Sequence, residues 1–192
     1  MEKVFLYCYK MTHDTGFAPN PYHEVLTLAT CKPTIRRCAE IGFWISGWAS
    51  NVVQGKDKKH KDKAQRLIYL AQITDKMSIA EYWKRYKKKR PKGIDDMGDN
   101  IYKPIKGKEK EFEQLPNGGG HGKNDQEHDL SGENVLICEE FYYFGVENAL
   151  EIKDKGFVVP RCKKIPFDAE EAKKVIDYVK NNCSKALYYK EK

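Results

Sequence analysis

Apolar residues fall along this chain mostly in short runs of strand length, with helical spacing confined to a few stretches. From Val4 to Met11, Val4, Leu6 and Cys8 lie on one side of an extended chain and Phe5, Tyr7 and Tyr9 on the other. That predicts a first strand buried on both faces. Phe43 to Ala49 predicts a short aromatic strand, and Gly47 inside it marks a bulge or a close approach of backbone to another group. Arg66 to Thr74, Val135 to Cys138, Phe141 to Phe144 and Gly156 to Val159 complete the strand candidates.

Three stretches predict helices. Pro33 suits the first turn of a short one, because the first helical amides lack intrahelical partners. Ile35, Cys38 and Ile41 would share its face, and Gly42 would end it. Ser78 and Glu81 form a capping box ahead of a helix from Ile79 to about Lys89. Its stripe of Ile79, Tyr82, Trp83 and Tyr86 is of the kind that faces a core, and Pro91 stops it. Asp168, with Glu171 three positions on, predicts the cap of a last helix. The apolar face of that helix is Ala172, Val175, Ile176, Val179 and Cys183.

Between Lys92 and Glu133 the periodicity dissolves into Gly, Lys, Asp and Asn. Gly98 to Tyr102 reads as an ordered functional segment, and residues 103–133 as a flexible insertion loop with Gly118, Gly119 and Gly120 at its tip. The whole chain, residues 1–192, reads as a single domain. Strands first and last, with short helices and no regular strand–helix alternation, predict an α+β fold with a mostly antiparallel sheet. Closure into a small barrel would dispose of the sheet edges.

With 192 residues, 40% hydrophobic and 33% charged, the composition suits one soluble domain with its own core. No window approaches the roughly 18 apolar residues that span a bilayer. The opening MEKVFLYCYK has no cleavage-site pattern, so a cytoplasmic location and no membrane partner are expected. None of the six cysteines forms a C-x-x-C pair, so free thiols are expected in place of disulfides or a structural zinc site. GGGHGKN (118–124) lacks the hydroxyl residue of a phosphate loop, and neither a dinucleotide fingerprint nor a G-x-S-x-G elbow occurs. No cofactor and no metal are expected.

The net charge of +7 is unevenly spread. Lys56, Lys58, Lys59, Lys61 and Lys63 form one basic run, diluted by Asp57 and Asp62. Lys84, Arg85, Lys87, Lys88, Lys89, Arg90 and Lys92 form a second, with Trp83 and Tyr86 among them. Basic groups interleaved with aromatics suit phosphates and stacked bases. A helix C-terminus favours cations with no ligand at all, and that reading stands beside the first.

The punctuated stretch Thr12 to Arg37 is the densest in candidate chemistry, with Gly16, Pro19, Pro21 and Pro33 breaking the backbone between polar side chains. His13 beside Asp14 offers a general base with a carboxylate. Cys31, between Thr30 and Lys32 and close in sequence to Arg36 and Arg37, offers a nucleophile in a basic setting. His121 and His128 with Asp125 and Asp129 offer a metal site, against which stands their polar, irregular setting. Asp99 and Asn100, next to Ile101 and Tyr102, offer carboxylate and amide edges for a base.

Four motifs in order, HDTGFAPNP (13–21), LATCKPTIRR (28–37), GDNIY (98–102) and FYYFG (141–145), resemble the nucleotide-modification-associated domain family of the second type. The resemblance covers Val4 to Gly145 and implies a bacterial or phage setting of DNA modification or defence. EIGFWISGWAS and RLIYLAQITDKMSIAEYW are similar to strand pairs of the PUA, ASCH and EVE barrels, although Phe43 after Gly42 departs from the Gly-Asp of that pattern.

Together these observations predict a small PUA-like barrel that binds a nucleotide or a nucleic-acid base. Its pocket would use Phe17, Asn20, Arg36, Arg37, Asp99, Asn100, Tyr102 and Phe144, with the second basic run extending contact to a polymer. Two alternatives stand beside it. One is an enzyme acting on a base or nucleotide through His13, Asp14 or Cys31. The other is a protein that sequesters a nucleotide signal.

Overall fold

The computed structural model describes residues 3–55, 58–152 and 161–183. The strand expected at residues 156–159 lies outside them. The chain is organised as two compact units, one of Met1–Asp14, Glu40–Thr74 and Cys138–Lys192, the other of Thr15–Ala39 and Asp75–Ile137.

The first unit is built on β1 (Phe5–His13), β3 (Trp44–Gln54), β4 (Leu67–Gln72), β9 (Glu140–Tyr143) and β10 (Cys162–Pro166), paired in the order β10-β1-β3-β4-β9. Among the described residues β1 and β3 run parallel in this sheet, and the other neighbours are antiparallel. Leu6, Cys8, Trp44, Trp48, Leu67, Leu70 and Tyr142 form an apolar cluster. Helix α4 (Glu170–Asn182) adds Ala172, Val175, Ile176 and Val179 to it, the stripe expected from the sequence. Its N-cap is Ala169, with no side-chain cap bond from the expected Asp168.

The fold is α+β, as the pattern of elements predicts, but the expected barrel does not form among the described residues. The sheet stays open, with β10 and β9 as its outer strands. Closure is one way to protect a sheet, and here the apolar stripe of α4 joins the sheet core instead. The aromatic strand at Trp44 also runs on to Gln54, five residues past the Ala49 at which the sequence pattern ends it.

The second unit holds a three-stranded sheet in the order β2-β8-β5, from β2 (Leu26–Leu28), β5 (Asp75–Ser78) and β8 (Asn134–Cys138). β6 (Tyr102–Ile105) and β7 (Lys108–Gln114) pair as a hairpin. Its helices are α1 (Pro33–Cys38), α2 (Ile79–Arg85) and α3 (Lys123–Leu130). The stretch 103–133, expected as an insertion loop, thus carries a hairpin and a helix. Ser78 caps α2 as its motif predicts, accepting from the Glu81 amide at 3.2 Å. Phe17, Ala29, Met77, Ile79, Tyr82, Ile101, Tyr102, Val135 and Ile137 form this unit's core.

Gly47 meets the expectation of a close approach. The β3–β4 register shifts beside it, and an added Cβ would lie 2.3 Å from both Met11 Sδ and Tyr69 Cε1. Gly47→Ala is therefore expected to cost about 1–3 kcal/mol by urea unfolding. Gly93→Ala, where nothing lies within 4 Å, serves as the control. Equal stability of the two variants would contradict the packing described.

Candidate functional site

One buried carboxylate gathers several polar residues of the second unit. Asp129, on the last turn of α3, is fully buried. Its Oδ1 accepts the Cys31 amide at 2.7 Å. Its Oδ2 accepts the Tyr102 hydroxyl at 2.8 Å and faces His121 Nδ1 at 2.7 Å. The other imidazole nitrogen, Nε2, lies 3.4 Å from Cys31 Sγ. A thiol, an imidazole and a carboxylate therefore stand in line, with the carboxylate fixing which ring nitrogen faces the sulfur.

Each group is held by its local chain. Cys31 and Lys32 both adopt left-handed backbone conformations, with φ of 55° and 40°. Such geometry costs a non-glycine residue roughly 1–2 kcal/mol and persists only where surrounding contacts hold it. Asp129 Oδ1 is one of those contacts. His121 sits in a loop tied by Asn117, whose Nδ2 donates to the Leu115 and His121 carbonyls at 3.2 and 3.0 Å, and by Gln114 Nε2 at 2.9 Å from the latter. The Phe17 ring packs beside the imidazole at 5.0 Å between centroids. Gly119 seats that ring, since a Cβ there would lie 2.2 Å from Phe17 Cγ. The glycine run expected as a flexible tip thus has a packing role.

Arg36 secures the same structure from inside. Fully buried, it donates through Nε to the Cys31 carbonyl at 2.8 Å and through Nη1 to the Asn134 carbonyl at 2.9 Å. Nη2 donates to the Asp129 carbonyl. Gly132 makes room for it, because a Cβ there would sit 2.3 Å from the guanidinium carbon.

Electrostatics sharpen the pairing. Burial works to depress the His121 imidazole, but its hydrogen bonds to Asp129 and Cys31 and the charge around them prevail and push it up to about 10. Burial works to raise the Asp129 carboxyl, and hydrogen bonds from His121, the Cys31 amide and Tyr102, with the imidazolium charge, hold it below the usual carboxylate range. Burial, and then Asp129, raises the Tyr102 phenol, which stays a donor. Burial lowers the Arg36 guanidinium, with Asp129 opposing.

Cys31, His121 and Asp129 could also hold a metal ion, since one ligand atom from each lies within 4.8 Å of the others. The carboxylate argues against that use. Its two oxygens already accept three hydrogen bonds, and a metal on Oδ2 would compete there with the imidazole and the Tyr102 hydroxyl. The arrangement suits nucleophilic chemistry better: His121 can hold the proton that Cys31 gives up, and Asp129 stabilises that imidazolium.

Of the residues expected from the sequence, Phe17, Cys31, Arg36 and Tyr102 come together here. Arg37, exposed, donates to the Ser131 carbonyl nearby. Asn20 and Asp99 join a second buried network. Lys89 Nζ donates to Asn20 Oδ1 at 2.8 Å, and Asp99 accepts Thr27 Oγ1 at 2.6 Å and the Tyr82 hydroxyl at 2.7 Å. Asn100, also buried, donates to the Tyr82 and Tyr86 carbonyls. His13, Asp14 and Phe144 belong to the first unit. There His13 is exposed, while Asp14 is buried and accepts the Tyr143 hydroxyl and the Val146 amide, so the adjacent pair has separate partners. His121 and Asp129 were weighed in the sequence only as metal ligands beside His128 and Asp125. Nothing local in the sequence links them to Cys31.

The family model described as nucleotide modification associated domain 2 matches residues 1–190. The chain belongs to that family. No curated protein and no solved structure matches it. The family places the chain in the setting of nucleotide and DNA modification, and the thiol, imidazole and carboxylate lie within the span that carries the match. Among the described residues no helix is long and apolar enough to cross a membrane.

Removing the Arg36 guanidinium takes a charged donor from three carbonyls, of which that of Asp129 keeps the Gly132 amide at 3.1 Å. Arg36→Met is expected to cost about 3–5 kcal/mol in urea unfolding. Arg36→Lys should recover only part of that, because an ammonium lacks the planar fork. A loss below about 1 kcal/mol for Arg36→Met would contradict the role given to this residue.

Proposed function

We propose that the protein is a thiol-dependent enzyme acting on a nucleotide-linked substrate, with Cys31 as nucleophile, His121 as general base and acid, and Asp129 as the group that orients His121. The observation that carries this reading is the 3.4 Å approach of His121 Nε2 to Cys31 Sγ, with Nδ1 held on a buried carboxylate. Cys31 is half-buried and the His121 side chain is 15% exposed, so a substrate can reach both.

The reaction class that fits is transfer at a carbonyl or amidine-type carbon. His121 is the imidazolium and carries on Nε2 the proton given up by Cys31, whose sulfur reacts as the thiolate. The sulfur electron pair forms a bond to the carbon, and the displaced π pair moves onto its oxygen or nitrogen. That pair returns as the bond to the leaving amine or alcohol breaks, and the leaving group takes the proton from His121. Water or a second amine then attacks the thioester or its amidine analogue and gives its proton to His121, and the sulfur departs as the thiolate beside the imidazolium.

The family supports the nucleotide part of the reading, in a setting of nucleotide and DNA modification. The hydrogen bonding supports chemistry over simple capture. Asn20, Arg36, Asp99 and Tyr102 direct polar atoms at the protein's own groups, which leaves them less suited to reading a base edge.

Chloroacetamides of the four deoxynucleosides test both parts. Labelling of Cys31, mapped by peptide mass spectrometry, is expected to saturate with the probe of the preferred base and to outpace plain chloroacetamide. Cys31→Ser should lose that adduct while remaining folded, and His121→Gln should slow its formation by about 10²-fold. Labelling no faster than with plain chloroacetamide would overturn the nucleotide assignment. A His121→Gln variant labelled at the wild-type rate would overturn the catalytic pairing.

A further inference from the structure

The second basic run is not a loose lysine tail. α2 ends at Arg85, a short 3-10 turn follows at Lys87–Lys89, and three consecutive residues clamp the junction. Asn100 Nδ2 donates to the Tyr82 carbonyl at 3.1 Å and to the Tyr86 carbonyl at 3.0 Å, while its backbone amide donates to the Lys89 carbonyl at 3.0 Å. Asp99 accepts the Tyr82 hydroxyl from below. Gly98 passes so close that a Cβ would lie 2.5 Å from the Lys89 carbonyl oxygen. Asp99 and Asn100, expected as base-reading residues, thus hold the basic segment in one conformation together with Gly98.

Within that segment the cations divide into two groups. Lys89, 1% exposed, is bonded to Asn20, Val25 and Thr27. The Arg90 guanidinium lies 3.8 Å over the Trp83 ring. Arg85 meets Asp75 and Glu81. The remaining four, Lys84, Lys87, Lys88 and Lys92, are exposed, and among the described residues none is in an ion pair. No acidic residue occurs from Lys84 to Lys92. Four like charges on a free segment would spread apart, whereas here backbone hydrogen bonds keep them together. That arrangement suits a partner with several anions at chain spacing.

The same loop reaches both features. Phe17 packs on His121, and Asn20, three residues later, accepts from Lys89. Three residues span at most about 10 Å, so the anchor of the basic segment lies within nucleotide reach of the ring beside the thiol.

We propose that Lys84, Lys87, Lys88 and Lys92 form a preorganised surface for the phosphate backbone of a nucleic-acid strand. The substrate of Cys31 is then a residue within a polymer and not a free nucleotide. This rests on the nucleotide reading of the thiol site and narrows it.

The test is fluorescence anisotropy of a labelled mixed-sequence DNA, single-stranded and duplex, with the full chain across a salt series. Wild type should bind with a steep negative slope of log affinity against log salt. The variant with all four lysines changed to Gln should lose about 3 units of that slope, at roughly 0.7–0.9 per phosphate released. A control with Lys103, Lys106, Lys108 and Lys110 changed to Gln should keep it. A flat wild-type slope, or equal losses in both variants, overturns the surface whatever Cys31 does. Cys31→Ser should bind with the wild-type slope. If it does so while nucleoside chloroacetamides show no preference at Cys31, the surface stands and the covalent reading falls.

Discussion

A carboxylate removed from water must be compensated by donors, or several kcal/mol of desolvation remain against the fold. Asp129 meets that requirement with three donors from separate stretches of the chain: the Cys31 amide, the Tyr102 hydroxyl and the His121 ring. Its own carbonyl is taken by Arg36, which also holds the Cys31 carbonyl. The left-handed turn at Cys31, the hairpin strand at Tyr102 and the loop at His121 are therefore fixed by one buried group. Removing any donor exposes the same penalty, so the network forms as a whole.

The same requirement explains why the site has chemical character. A carboxylate bonded to Nδ1 leaves Nε2 as the nitrogen directed at the sulfur, and it stabilises the ring when that ring takes a proton. A second buried cluster of Asp99, Tyr82, Thr27, Asn20 and Lys89 obeys the same rule, but its side chains bond to one another and none of them is a thiol or an imidazole. The contrast separates a polar network that only orders its unit from one that also presents a reactive atom.

Much of the fold was legible where residues declare a period. The first strand, the aromatic strand around Gly47, the Ser78 cap and the buried stripe of α4 all follow from local pattern. The barrel was not, because a sheet edge can be protected by closure or by other elements, and alternation along strands does not distinguish them. Helix α3 was hidden because KNDQEHDL has one apolar residue, Leu130, and no stripe. Its place comes from tertiary bonds at Asp129. Cys31 stood out in the sequence through its punctuated, basic loop. His121 and Asp129 lie 90 and 98 residues away from it, beyond any local signal. Asp99 and Asn100 misled for a related reason: a polar pair beside an aromatic looks the same whether it faces a ligand or clamps a helix end.

The central claim is that Asp129 holds His121 through Nδ1 and thereby directs Nε2 at Cys31. Nitrogen-detected NMR of the His121 ring, followed through a pH titration, reads this directly. The account predicts a proton on Nδ1 throughout and a ring that keeps its charge until about pH 10. A ring that loses its charge near 6.5, with the neutral form protonated on Nε2, would contradict it.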